Sequence, residues 1–313
     1  MIRDKITKHF SFLRDISFLS IAYIVPTGIM AIFWFYIASL IEVENFGEIT
    51  YYLTIAGIAS GVSLLGAQNS LTVYAAKGER LIPVISLITF PISIIGAIIV
   101  FFVFFNVGAS IHVVSYTIFG LITAEFLGRK LFKSYMKITI IQKLVMVVLD
   151  VFLFHLIGSD GIIIGISLSF IPFIGLYYNE FKNGKIDFGV LKSKKKFMLN
   201  NYLLTLTQMI AGSIDKIIIA PIYGFALLGN YALGIQFYMV LLIIPNIINQ
   251  YVLPQDASGN PNALIKKLTI LLSIGLTIIG IVFSPMIINL MFPKFLDAVT
   301  IIQIVSLGVI LGT

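Results

Sequence analysis

The chain has 313 residues, 59% of them apolar and only 11% charged, a balance no soluble domain of this length needs to fill one core. Its formal net charge of +7 would suit a nucleic-acid binder, but the basic residues lie in short segments between apolar runs, where they act as topology signals, so nucleic acid is not an expected partner. With no cysteine there can be no disulfide, thiol nucleophile or thiolate metal site, and His9, His112 and His155 show no ligand spacing.

Many apolar runs reach the roughly 20 residues that cross a bilayer as helix, and none alternates like a barrel strand. The predicted fold is all-α, a polytopic transmembrane helical bundle of about ten spans. Met1 to Asp15 carries Arg3, Lys5, Lys8 and Arg14 among Ile6, Phe10 and Leu13, a spacing for an amphipathic surface helix. No small-residue cleavage site follows, so the first apolar run is expected to stay as a spanning helix. That helix is predicted over about 16–41, with a kink at Pro26-Thr27-Gly28. The second runs over about 49–75, with Gly57 and Gly61 in small-xxx-small spacing. The third covers 81–105 and the fourth 111–127. A fifth, about 138–157, is interrupted by Lys143 and Asp150. The sixth ends near Tyr178 and repeats the small-residue spacing at Gly161 and Gly165.

Residues 179–196 then hold six lysines with Gly and Asn, a hydrophilic linker and natural boundary. The predicted organisation is an N-terminal six-helix bundle over 1–180, a basic cytoplasmic linker over 181–198, and a C-terminal bundle over 199–313. Helices seven and eight occupy Leu199 to Pro254, a turn follows to Asn262, and helices nine and ten start near Leu268 and Ala298. With the N-terminus cytoplasmic, nearly all Lys and Arg fall on one side and Glu42, Glu44, Glu48, Asp160 and Asp297 on the other. The expected location is therefore the cell membrane, multi-pass.

Sliding the chain on itself by 182 positions aligns helix one with seven through four with ten, and places Gly47 on Gly229 and Gln68 on Gln250. Two parallel pseudo-repeats are predicted, related by an axis along the membrane normal, with a binding site between them. In this register Thr313 matches Leu131, so the second repeat is expected to lack two helices.

Charged residues at membrane depth are costly and point to a bundle interior or a wet cavity. Asp215 and Lys216, neighbours on a helix, project about 100° apart, so each is expected to find its partner elsewhere. Lys143 and Asp150 lie two turns apart on one helix face. Glu125 and Arg129 have the i, i+4 order that favours a local ion pair. Gln68 near one helix end, and Asn246, Asn249 and Gln250 along another, form polar stripes that could join helices or line a cavity. Lys194-Lys195-Lys196 reads as a topology signal in contact with anionic lipid.

The blocks Ile214-Asp215-Lys216-Ile217-Ile218-Ile219, Tyr223-Gly224 and Leu228-Gly229-Asn230-Tyr231, with Ala38-Ser39-Leu40 and Phe46-Gly47-Glu48-Ile49 in the first half, resemble the Wzx-type polysaccharide flippases of the multidrug/oligosaccharidyl-lipid/polysaccharide superfamily. Members have about twelve or more helices in two bundles and move a polyprenyl-pyrophosphate-linked glycan to the outer leaflet by alternating access. The resemblance implies a cation-bearing cavity in which Lys216, with Lys143 or Arg129, meets the pyrophosphate while Gln and Asn side chains bond sugar hydroxyls. The implied partners are a lipid-linked glycan, membrane lipids and a coupling ion. A cation-coupled multidrug antiporter, with Asp150 or Asp215 as its acid, is one alternative. A membrane-embedded prenyl or acyl transferase is another, but it would call for clustered carboxylates or a placed His base. No enzyme activity and no cofactor are expected.

Overall fold

The computed structural model describes residues 2–184, 186, 188–248, 252 and 263–311. Among them the chain is helical throughout, with no strand. In chain order the helices are α1 (Ile2–Leu40), α2 (Val43–Leu64), α3 (Ala67–Ala76), α4 (Ile82–Phe104), α5 (Val107–Gly128), α6 (Phe132–Ile157), α7 (Ser159–Leu168), a 3-10 turn (Ile171–Phe173), α8 (Ile174–Lys182), α9 (Phe188–Tyr223), α10 (Phe225–Leu241), α11 (Ala263–Met291) and α12 (Ala298–Leu311). Among the described residues seven spans are long and apolar enough to cross a membrane, and eight if the bent pair α2–α3 counts as one. The protein is a multi-pass helical membrane protein. α10 and α12, at 17 and 14 residues, are apolar but shorter than a full span.

Several boundaries differ from the sequence reading for local reasons. α1 continues without a break from the basic opening segment into the first span, and Pro26 sits inside it. The hydroxyl of Thr27 donates to the Tyr23 carbonyl at 2.7 Å, one turn back, beside the hydrogen bond that proline cannot make. The second predicted helix is broken: Leu65 and Gly66 both take positive φ, 50° and 69°, and α3 leaves α2 at 48°. Glycine suits that backbone, whereas Leu65 adopts it against its Cβ. α6 begins at Phe132 rather than near Ile138, drawing Lys133 and Lys137 into the helix. Lys194-Lys195-Lys196 lie inside α9 rather than in a linker; lysine is a good helix former, so a basic stretch need not be loop. The predicted turn over Pro254 to Asn262 lies outside the described residues.

The chain forms two compact units: Met1–Met30 with Tyr51–Ile218, and Ala31–Thr50 with Ile219–Thr313. α1, α2 and α9 each contribute to both.

In the first unit α5 is the central helix, packed by α3, α4, α6, α7 and α8. Two thirds of its apolar window (67%) is buried, against 17% for α4 and α6, which turn most of their surface outward as a lipid-facing helix does. Small residues bring the helices close. A Cβ on Gly161 would lie 2.3 Å from the Leu153 carbonyl oxygen and one on Gly165 2.2 Å from Asp150 Oδ1, so α7 rides against the backbone of α6. The spacing predicted at Gly161 and Gly165 is thus a helix contact, while of the earlier pair only Gly61 touches anything, the thioether of Met209. An apolar cluster including Leu64, Leu71, Ile82, Ile85 and Leu121 closes the end near α3.

The second unit centres on aromatic rings. Phe46 packs edge-on against Trp34 at 5.7 Å and against Phe295, fully buried, at 5.6 Å, while Phe35, Phe237 and Phe292 form a triad with centroids 4.8 to 6.0 Å apart. α12 packs on α10 and α11. Asn230 ties two elements: its Oδ1 accepts from Ala298 N at 3.1 Å and its Nδ2 donates to the Ala226 carbonyl at 3.1 Å. At the start of α2 and α10 two glycines meet. A Cβ on Gly47 would lie 2.0 Å from the Phe225 carbonyl oxygen, and one on Gly229 would lie 2.1 Å from that of Val43.

Candidate functional site

Inside the first unit, α3, α5, α6 and α7 gather polar side chains that apolar helices of this kind otherwise avoid. On α6, seven residues turn the helix through nearly two full turns, so Lys143 and Asp150 share one face, as predicted. Asp150 is fully buried, and among the described residues neither of its carboxylate oxygens has a hydrogen-bond partner. Its electrostatic partner is Lys143, half-buried on the same face. No ion pair within 4.0 Å joins the two, so Asp150 is a buried carboxyl group whose oxygens have no direct partner among the described residues, a costly arrangement in a low-dielectric interior.

α5 brings in His112 and Tyr116 at i, i+4, their rings stacked at 5.5 Å with 12° between planes. Phe170 meets both edge-on, at 5.6 and 5.7 Å. Lys143 also acts electrostatically on His112, whose Nδ1 is buried without a partner. From α3, Gln68 reaches the Tyr116 hydroxyl and lies over Gly120, where a Cβ would come within 2.5 Å of its Nε2. Two further contacts close the cluster: Gln142 Nε2 donates to Ser169 Oγ at 2.8 Å, and Ser167 Oγ donates to the Gly108 carbonyl at 2.7 Å.

Of the predicted site residues, Lys143 and Asp150 share one face of α6, and Gln68 reaches Tyr116 on α5. Arg129 does not join them. It donates to Glu180 Oε2 of α8 at 2.9 Å and lies 4.0 Å from Glu125, which is 1% exposed with Oε2 unpartnered. Arg80 adds charge beside Glu125 and donates to the Asn183 carbonyl at 3.2 Å. The local Glu125–Arg129 pair exists, but the shorter bond goes to Glu180, which fastens α5 to α8.

The expectation that Asp215 and Lys216 cannot pair with each other is corrected. Lys216 Nζ lies 3.3 Å from Asp215 Oδ1 and donates to the Gly212 carbonyl at 3.0 Å, while the Lys216 backbone N–H donates to Asp215 Oδ1 at 2.8 Å. Divergent Cα–Cβ bonds do not prevent this, because the four-carbon lysine stem curls back along the helix. Asn246 is half-buried in the second unit, in the helical residues 243–248. Asn249 and Gln250 lie outside the described residues. Lys194 pairs with Glu79 and lies over the Tyr74 ring at 3.8 Å, so one lysine of the basic run is folded onto the bundle.

His112, Tyr116, Gln142 and Glu180 were not singled out in the sequence. The usable signal was present for His112 and Tyr116, two polar rings one turn apart in an apolar span. Among the described residues no three His, Asp or Glu gather closely enough to hold a metal ion. Uncompensated hydrogen-bonding capacity, one anion, one cation and a stacked imidazole inside a membrane bundle together offer a place where a polar or charged group can be received. No protein-family model, curated protein or solved structure matches this chain.

Proposed function

We propose that this chain is a membrane transporter that carries a polyprenyl-pyrophosphate-linked oligosaccharide from the cytoplasmic to the outer leaflet of the cell membrane by alternating access, as a relative of the Wzx-type flippases. The array of apolar helices fits a transporter in general. The observation that carries the reading is the buried, unpartnered His112 Nδ1 and Asp150 carboxyl with the half-buried Lys143 on the Asp150 face, polar chemistry kept within helices whose outer faces are apolar. A pyrophosphate and its sugars cannot cross hydrocarbon unaided, whereas a polyprenyl tail remains in lipid. Only the headgroup needs a path. In this reading Lys143, which makes no ion pair among the described residues, meets phosphate oxygens, and Gln68 and Gln142 offer amides to sugar hydroxyls. Lys216 and Arg129 are held by carboxylates of this chain and serve only once those bonds open.

The assay is leaflet translocation of a fluorescent polyprenyl-pyrophosphate oligosaccharide in proteoliposomes, read by accessibility to an external lectin. Translocation above protein-free vesicles, lost in Lys143→Ala, is expected. Folded protein that moves none of it sinks the proposal. A second reading, a cation-coupled antiporter for small organic cations, is favoured by one observation, the unbonded Asp150 carboxylate. It requires accumulation of a cationic dye in the same vesicles under an imposed ion gradient, abolished by Asp150→Asn.

A further inference from the structure

We propose that the slot beside the break between α2 and α3 binds an anionic phospholipid of the bilayer, with one acyl chain among Leu65, Ile85, Ile88, Met198 and Tyr202 and its phosphate on Lys195. The slot measures about 340 Å³, within the range of roughly 300–1,000 Å³ in which small-molecule sites fall. Its lining is almost wholly apolar, and the Thr89 hydroxyl is already committed to the Ile85 carbonyl at 3.1 Å. An occupant must therefore be apolar along its length.

The polar end is set by the lysines. Lys194 is taken by Glu79 and the Tyr74 ring. Among the described residues no carboxylate pairs with Lys195, which is exposed at the slot's rim. An apolar groove with one uncompensated cation at its mouth, within a basic run of a membrane protein, complements a lipid that carries net negative charge. The backbone break between α2 and α3 shapes one wall of the slot. At the break, Gly66 is pressed by α9, since its Cβ would come within 2.5 Å of Tyr202 N, while neighbouring Leu65 lines the slot. The inference needs only the membrane setting and is independent of the cargo.

The test uses the Trp34→Phe/Tyr202→Trp variant, whose single tryptophan reports from the slot, in phosphatidylcholine vesicles containing brominated phosphatidylglycerol or brominated phosphatidylcholine. Quenching by the anionic lipid is expected at about fivefold lower mole fraction, the effect of the roughly 1 kcal/mol that one lysine contributes at an anionic surface. Lys195→Gln removes the difference and Lys182→Gln leaves it. Equal quenching by the two lipids, or a preference that survives Lys195→Gln, overturns the proposal. So does displacement of the brominated lipid by trace polyprenyl phosphate but not by unlabelled phosphatidylglycerol, which would assign the slot to a lipid-linked cargo. Should the tryptophan variant fail to fold, native mass spectrometry of phosphatidylglycerol retained by the unmodified chain and by Lys195→Gln gives the same decision.

Discussion

A single methyl group at Gly161 should separate two helices. The Cβ of Gly161→Ala would stand 2.3 Å from the Leu153 carbonyl oxygen and 2.4 Å from its carbon, both backbone atoms. Comfortable separation begins near about 3.5 Å, so α7 must move away from α6 by about 1 Å. A flexible side chain could rotate aside, but a backbone carbonyl cannot. The cost should therefore fall in the upper part of the overpacking range, about 2–3 kcal/mol. That corresponds to about a 30- to 150-fold shift in the folding equilibrium. The assay is unfolding in mixed micelles by titration with a denaturing detergent, followed by far-ultraviolet circular dichroism. Gly57→Ala supplies the opposite sign: it lies inside α2 with nothing within 4 Å of its Cβ, so alanine should be neutral or stabilising by about 0.5–1 kcal/mol. Equal stability of Gly161→Ala and Gly57→Ala would refute the close-packing argument for the α6–α7 pair.

Three further substitutions test the polar contacts. Lys143→Met removes the cation that acts electrostatically on the buried Asp150 without contacting it, and should destabilise by about 1 kcal/mol, less than the roughly 3–5 kcal/mol of breaking a direct buried pair, whereas Lys143→Met/Asp150→Asn should cost no more than the single change; an additive double-mutant cycle would show that the two groups do not interact. Arg129→Ala removes the cation beside the buried Glu125 and should lower the thermal midpoint in detergent more than Glu180→Gln, which leaves Arg129 in place; the reverse order would mean that fastening α5 to α8 matters more than neutralising Glu125. Asn230→Ala leaves the Ala298 N–H with only its turn bond to Phe295 and should cost about 1 kcal/mol, visible as faster hydrogen exchange at the start of α12; unchanged exchange there would rule out the tie.

The fold class was legible because long apolar runs allow only helices in lipid, and the Gly161/Gly165 spacing located a real contact. Which helix lies at the centre was not. α5 and α4 both read as apolar spans, and the difference in their burial comes from packing partners far away in sequence. Nor was the break after Leu64, since Ser63-Leu64-Leu65-Gly66 contains no proline and a left-handed leucine follows from tertiary context. Within the site, Lys143 and Asp150 were found because seven residues return a helix to the same face. Their neighbours His112 and Tyr116 come from another helix, and one sequence carries no record of which helices touch. The pairing of Lys216 with Asp215 escaped because Cβ directions say little about a side chain long enough to curl back past them.

The glycines where α2 and α10 begin have a further consequence. Gly47 approaches Phe225 while Gly229 approaches Val43, and the 182 positions of the sequence register separate Gly47 from Gly229 and Val43 from Phe225. Contacts in which i meets j′ and j meets i′ are the mark of an isologous interface, the kind by which two identical subunits dimerise about a twofold axis. Here both sides are on one covalent chain and differ in sequence, with a phenylalanine at 225 and a valine at 43. Each side is therefore free to change alone, as the two faces of a homodimer interface are not, and glycine is held only at 47 and 229, where a methyl group cannot fit.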